Sequence, residues 1–367
     1  MSTTPTIVTE RKRYLDAAKG CGILMVVFGH ITTIGNPVDT WFGAFKLVIF
    51  YIVSGYLLAM RQSFRKTSSG QYIWKHAKSL LIPYFGYSAI VMLYNVGVVL
   101  VKGKPFSELV EKVLYQGYST LSLRGISALW FLPSLFIAQV IFIFVMKSPK
   151  WVKAVSAVVP LVTTAYSIQL LHYLKDHFST REYKLLSFPL LTVSKGILGF
   201  WFVGAGYVCY LVFKNIKQRE LRFLIGLAMT VATIFLSQKN PGVDINMLGV
   251  GKYPVLMYVN GIMGSMGAIL VLEYLEKWWK MTFLNFCGKN SLIIMATHGT
   301  LGFKALMING WRAMYGLSEV EGLRYILECT GILCELMLLE CGVISIVNNY
   351  FPWLTGKFGP RKGKGEK

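Results

Sequence analysis

The 367-residue chain is 54% hydrophobic and only 15% charged, against roughly 25% charged residues in a soluble globular protein, so its composition is that of a membrane protein. Its formal net charge of +21 does not make it a nucleic-acid binder, because the 38 Lys and Arg residues cluster between apolar runs with no DNA- or RNA-binding motif around them. Six cysteines (Cys21, Cys209, Cys287, Cys329, Cys334, Cys341) form no C-x-x-C pair and no metal-ligand spacing, which argues against a zinc site or a disulfide framework.

The polar start ends in Arg11-Lys12-Arg13, and the apolar run that follows lacks a small-x-small exit. It therefore reads as a retained first span, not a cleaved signal peptide. Hydropathy then predicts ten helices, at 17–35, 41–60, 78–101, 127–147, 151–172, 186–213, 221–238, 252–272, 283–303 and 326–347. The fold class expected is an all-α bundle of about ten transmembrane helices. Residues 1–16 form a cytoplasmic lead, 17–347 the membrane domain and 348–367 a basic cytoplasmic tail. The sixth span is long enough to tilt or break near Gly196–Gly199, and the ninth is the least apolar. Gly261, Gly264 and Gly267 in the eighth read as close helix packing.

Loop charges orient the bundle. With the N-terminus inside, the cytoplasmic segments carry 24 Lys and Arg residues and the outer ones 13. That bias fits a positive-inside topology with both termini cytoplasmic, which requires an even number of crossings.

Ionisable residues within the spans are costly, so each needs a reason. In the first span Lys19 and His30 are eleven residues apart, about three turns plus 20°, and share a helix face; Asp16 lies within about 40° of it. His30 is the candidate general base, since imidazole titrates near neutrality and a carboxylate such as Asp16 can orient it; Asp16 reads equally as a structural partner of Lys19, Lys75 or Lys78. The competing reading is a histidine that only bonds a neighbouring helix. Lys46 lies well inside span two, in Phe45-Lys46 running to Ser54-Gly55-Tyr56, and points to a functional cavity. Ser54 and Gly55 either line that cavity or permit close helix packing. Lys75-His-Ala-Lys78 leads into Pro83-Tyr84 of span three, with Arg61 and Arg65 just before it. Trp130 and Phe131, in Leu129-Trp-Phe-Leu-Pro133, line a substrate tunnel or belong to an interfacial aromatic belt. Span nine runs from Gly288-Lys-Asn290-Ser291 to His298. Glu328, Glu335 and Glu340 in the last span have no assignment. No G-x-S-x-G elbow is present, which argues against a serine acyl-enzyme.

Taken in this order, the five segments resemble integral-membrane acyltransferase family 3, whose bacterial members O-acylate cell-surface glycans. Lys19 and the Lys75/Lys78 pair stand where that family often has arginine, and Lys46 matches its His-or-Lys position. Val48 replaces a frequent proline, which predicts a straighter span two. The resemblance implies acetyl-CoA as acyl donor, bound at the cytoplasmic mouth by Lys19, Lys75, Lys78, Arg61 and Arg65, with no metal required. It implies a carbohydrate acceptor, a surface polysaccharide or its lipid-linked precursor, approaching from the outer side. Lys46, Ser54, Gly55, Trp130, Phe131 and His298 would then line the path to His30. The bacterial cytoplasmic membrane and its lipids are the expected setting, and a homodimer is compatible with it. A transporter or flippase for a polar solute or lipid-linked sugar is the alternative, because intramembrane His, Lys, Asp and Glu also suit proton coupling; the absence of an internal repeat counts against it.

Overall fold

The computed structural model describes residues 12–32, 36–316 and 322–358. In chain order the helices are α1 (Arg13–Ile31), α2 (Pro37–Gly43), α3 (Val48–Arg61), α4 (Ser63–Lys66), α5 (Ser69–Val101), α6 (Phe106–Leu121), α7 (Phe131–Lys147) and α8 (Lys150–His177). They continue with α9 (Thr180–Phe213), α10 (Arg219–Gln238), α11 (Pro254–Leu275), α12 (Thr282–Lys289), α13 (Ser291–Thr297), α14 (Phe303–Tyr315) and α15 (Leu323–Tyr350). A short hairpin, β1 (Val243–Asp244) with β2 (Gly249–Val250), joins α10 to α11. Among the described residues nine segments are long and apolar enough to cross a membrane, with α2 and α3 counted as one. The fold is an all-α membrane bundle, as expected.

α1 is the central helix: 72% of its most apolar window is buried, against 22% for α8 and 17% for α10, which lie at the periphery. Leucines, valines and aromatics such as Leu93 of α5, Val162 of α8, and Leu224 and Phe235 of α10 stand exposed on outer surfaces, where lipid would cover them.

Glycines set the closest approaches. A Cβ on Gly20 would fall on the backbone carbonyl of Leu284, and one on Gly288 on the carbonyl of Asp16, so α1 and α12 touch backbone to backbone. Gly55 and Gly206 make the same kind of reciprocal contact, against Val203 and Ile52, between α3 and α9. Gly264 and Gly267 seat Phe45 and Thr230, as the packing reading of span eight anticipated.

The ninth predicted span is not one helix. It is broken into α12 and α13 at Asn290, and Gly302, in the left-handed region at φ 80°, follows. The break is tolerable because its polar groups are met: Asn290 Nδ2 donates to the Phe286 carbonyl at 2.9 Å, and Asn348 Nδ2 donates to Asn290 Oδ1 at 3.0 Å. α12 and α13 together still make a crossing. Gly288 meets Asp16 near the start of α1, His298 meets His30 near its end, and α15 runs back past them. The first and last long helices therefore begin and finish at the same face of the bundle.

Three further expectations are corrected. α9 is continuous through Gly196–Gly199, where the glycines receive the side chains of Ile137 and Tyr51 instead of bending the helix. Span two is not straight: residues 44–47 form turns between α2 and α3, even without a proline at Val48. α5 and α9 start well before their predicted limits, at capping boxes built by Ser68 with Gln71 and Ser179 with Glu182. The predicted tail is packed at its beginning, where a single 3-10 turn (Pro352–Thr355) lies on α5 with Leu354 buried. Residues 1–11 of the lead and 359–367 of the tail lie outside the described residues.

Candidate active site

His30 closes the last turn of α1 and is exposed, and neither of its ring nitrogens has a hydrogen-bond partner among the described residues. Its nearest ring neighbour is His298, with centroids 5.1 Å apart and planes inclined at 43°. His298 follows α13 and is buried; its Nδ1 donates to the Ile294 carbonyl at 2.7 Å, which leaves Nε2 as an acceptor, buried and unpartnered. The two histidines thus present one open ring beside one fixed ring.

Lys46 comes to the same place from the turn between α2 and α3. Its ammonium crosses Gly29, next to His30, and pairs with Asp39 at 3.0 Å. Any side chain on Gly29 would strike that ion pair. Lys304, at the start of α14, is close enough for its charge to act on both histidines. Below His298, the fully buried Glu340 of α15 takes the Thr297 hydroxyl on its two oxygens at 2.7 and 3.0 Å. Glu328 is bonded to Arg324 instead, at 3.0 Å.

Asp16 does not join this cluster. It is buried near the other end of α1 and pairs with Lys19 at 2.8 Å, fourteen residues or about 21 Å along the helix from His30. The carboxylate expected to orient His30 is therefore committed elsewhere, and its place beside the imidazole is taken by His298. Lys19, expected as a donor ligand, is neutralised by the same pairing.

The remaining basic groups lie at the α1-start face. α3 runs antiparallel to α1, with Lys46 at Gly29 and Phe50 at Gly22, which carries Arg61 to that face. Ser79 of α5 abuts Gly356 just after α15, which places Lys75 and Lys78 there too. Lys75, Arg61 and Arg65 are exposed, Lys78 lies over the Trp74 ring at 5.5 Å, and none of the four has an ion-pair partner among the described residues.

Of the expected path residues, Gly55 is a packing residue, pressed on the α9 backbone, and Ser54 beside it is half-buried. Phe131 is in the core against Phe50 and Tyr51, whose hydroxyl is 2.7 Å from Ser134 Oγ. Trp130 is buried, not in an interfacial belt, and carries the ammonium of Lys195 at 4.5 Å from its ring centre. Sequence reasoning missed Lys195, Asp39 and Arg124; a lysine midway along an apolar span is the signal that could have found the first.

A family model described as an acyltransferase domain matches residues 12–328. No curated protein and no solved structure shows a significant match to the chain. The matched stretch takes in α1 through the start of α15, with the paired histidines, Lys46 and the Lys75/Lys78 segment all inside it. The chain therefore belongs to acyltransferase family 3, and is a multi-pass membrane acyltransferase.

Proposed function

We propose that the protein moves an acetyl group from acetyl-CoA to a hydroxyl of a cell-envelope glycan or its lipid-linked precursor, in the cytoplasmic membrane of a bacterium. The observation that carries this reading is His30: an imidazole with both nitrogens unengaged among the described residues, open at one face of the bundle and backed by His298. Such a ring can accept the hydroxyl proton as the oxygen attacks the thioester carbonyl. It then returns that proton to the sulfur as the carbon–sulfur bond breaks, so no net proton is left on the protein. A free acceptor nitrogen on His298 gives the charged His30 a neighbour to share its proton with. Lys304 supplies positive charge near the carbonyl oxygen as it gains negative charge, while Lys46 is held by Asp39.

The donor half of the reading rests on the opposite face. Among the described residues Lys75, Lys78, Arg61 and Arg65 are cations without carboxylate partners, which is the state phosphate recognition needs. Family membership favours acyl transfer over the transport alternative, since the same intramembrane groups now have a chemical role.

The test is transfer of label from acetyl-CoA by purified protein into a cell-envelope glycan extract. The expected product is a base-labile ester on the glycan. Binding of acetyl-CoA without labelled glycan would contradict the acceptor assignment, and absence of acetyl-CoA binding would contradict the donor.

A further inference from the structure

Lys195 is in the middle of α9 and has no solvent exposure at all. Besides the Trp130 face, its ammonium has one partner among the described residues, Asn246 Oδ1, at 3.3 Å. The same oxygen accepts from Arg124 Nη1 at 2.7 Å. Two cations therefore share one neutral amide oxygen. Arg124 stands in the loop between α6 and the 3-10 turn Ser127–Trp130, with its guanidinium 5.9 Å from the Phe188 ring. Among the described residues its Nε is buried without a partner, and Nη2 has only the Met247 sulfur at 3.1 Å. Nε and Nη2 form the edge of the guanidinium that grips an oxyanion with two parallel hydrogen bonds.

No carboxylate lies within ion-pairing distance of either cation among the described residues. Asp244, on the same hairpin, is exposed, and its Oδ1 is taken by the Asn246 backbone N–H at 2.9 Å. Burial holds the Arg124 guanidinium below its ordinary pKa, against the opposing pull of Tyr115 and Asp244. Holding either group in its charged form calls for a countercharge, because a buried cation without one is costly. A ligand that brings the countercharge removes that cost only when it binds.

The cluster lies at the His30 face. Its hairpin follows α10, whose Gln238 donates to the Pro37 carbonyl at 2.9 Å, directly after α1 ends. Trp130 belongs to a 3-10 turn that packs on α13, the helix leading into His298. Given the acyl-transfer reading above, this is the face from which the acceptor comes.

We propose that Arg124, Lys195 and Asn246 form an oxyanion subsite for the acyl acceptor, which makes the acceptor an acidic glycan carrying a carboxylate or phosphate. The oxyanion takes the Nε/Nη2 edge of Arg124, displacing the exposed, adaptable Met247 thioether, and neutralises Lys195.

Calorimetry tests this on the full chain in nanodiscs of zwitterionic lipid, with a glucuronic-acid disaccharide, its neutral methyl ester and glucose 1-phosphate as probes. The wild type should bind the acid and the phosphate at least about tenfold tighter than the ester. Lys195→Met and Arg124→Gln should bind acid and ester alike, and Lys195→Met should melt no lower than wild type, because it removes an unpaired buried charge. Equal binding of acid and ester by wild type, no binding of any probe, or retained preference in both variants overturns the subsite. Loss of the wild-type preference for the acid in nanodiscs containing phosphatidylglycerol would assign the cluster to a lipid headgroup and also overturn it. Transfer of label from acetyl-CoA into the glycan extract by the wild-type sample reads the donor chemistry separately. Its absence with acid discrimination intact would sink the transfer reaction and leave the subsite standing.

Discussion

At the level of single residues, what the sequence makes visible is charge placed where charge is expensive. His30, Lys46 and His298 stand out in apolar runs, and the structure brings all three to one face of the bundle. Their partners were not legible, because pairing depends on which helices meet. Asp16 and Lys19 share a face with His30 but satisfy each other, a pairing the sequence already offered because they stand three residues apart on one helix. Removing Asp16 alone leaves Lys19 as a poorly solvated cation, so Asp16→Ala should destabilise the protein by roughly 1–3 kcal/mol, and adding Lys19→Ala should restore part of it. Thermal unfolding of the single and double variants in detergent checks this; strict additivity would refute the pairing. His298→Phe keeps a ring beside His30 but removes the unpartnered Nε2. It should lower kcat about tenfold or more with little change in KM, less than the roughly 100- to 10,000-fold expected for loss of a general base. An unchanged kcat would leave His298 as mere packing.

Among the helices, hydropathy found nearly every crossing but misjudged where helices begin and bend. The capping boxes at Ser68 and Ser179 are local patterns that a 19-residue window averages away, although they were there to be read. The break at Asn290 was not readable in the same way, since it is stabilised from a distance by Asn348 on α15. The motif glycines serve packing. Gly20 with Gly288 locks the first segment to the ninth, and Gly55 with Gly206 locks the second to the sixth. Gly288→Ala would drive a methyl group into the Asp16 carbonyl and should destabilise the protein by more than about 2 kcal/mol. Gly97→Ala, also helical but with open space at its Cβ, is the matching control and should melt at or above wild type. Equal melting of the two variants would contradict the close contact.

For the molecule as a whole, the loop charges and the fold agree on an even number of crossings, with α1 beginning and α15 ending at one face. That face carries Arg61, Arg65, Lys75 and Lys78, and the other carries His30, His298 and Lys46. The proposed reaction is therefore sided. In proteoliposomes of known orientation, acetyl-CoA should support transfer only when supplied at the α1-start face, and the glycan only at the His30 face. Equal activity with both substrates on one side would refute that division.

The central claim is that His30 is the base for acyl transfer, and the most direct measurement is single-turnover acetyl transfer by purified wild type and His30→Ala protein matched for melting temperature and acetyl-CoA binding. A catalytic His30 predicts labelled glycan from wild type and a rate at least about a hundredfold lower from the variant. Equal rates from the two proteins would contradict it.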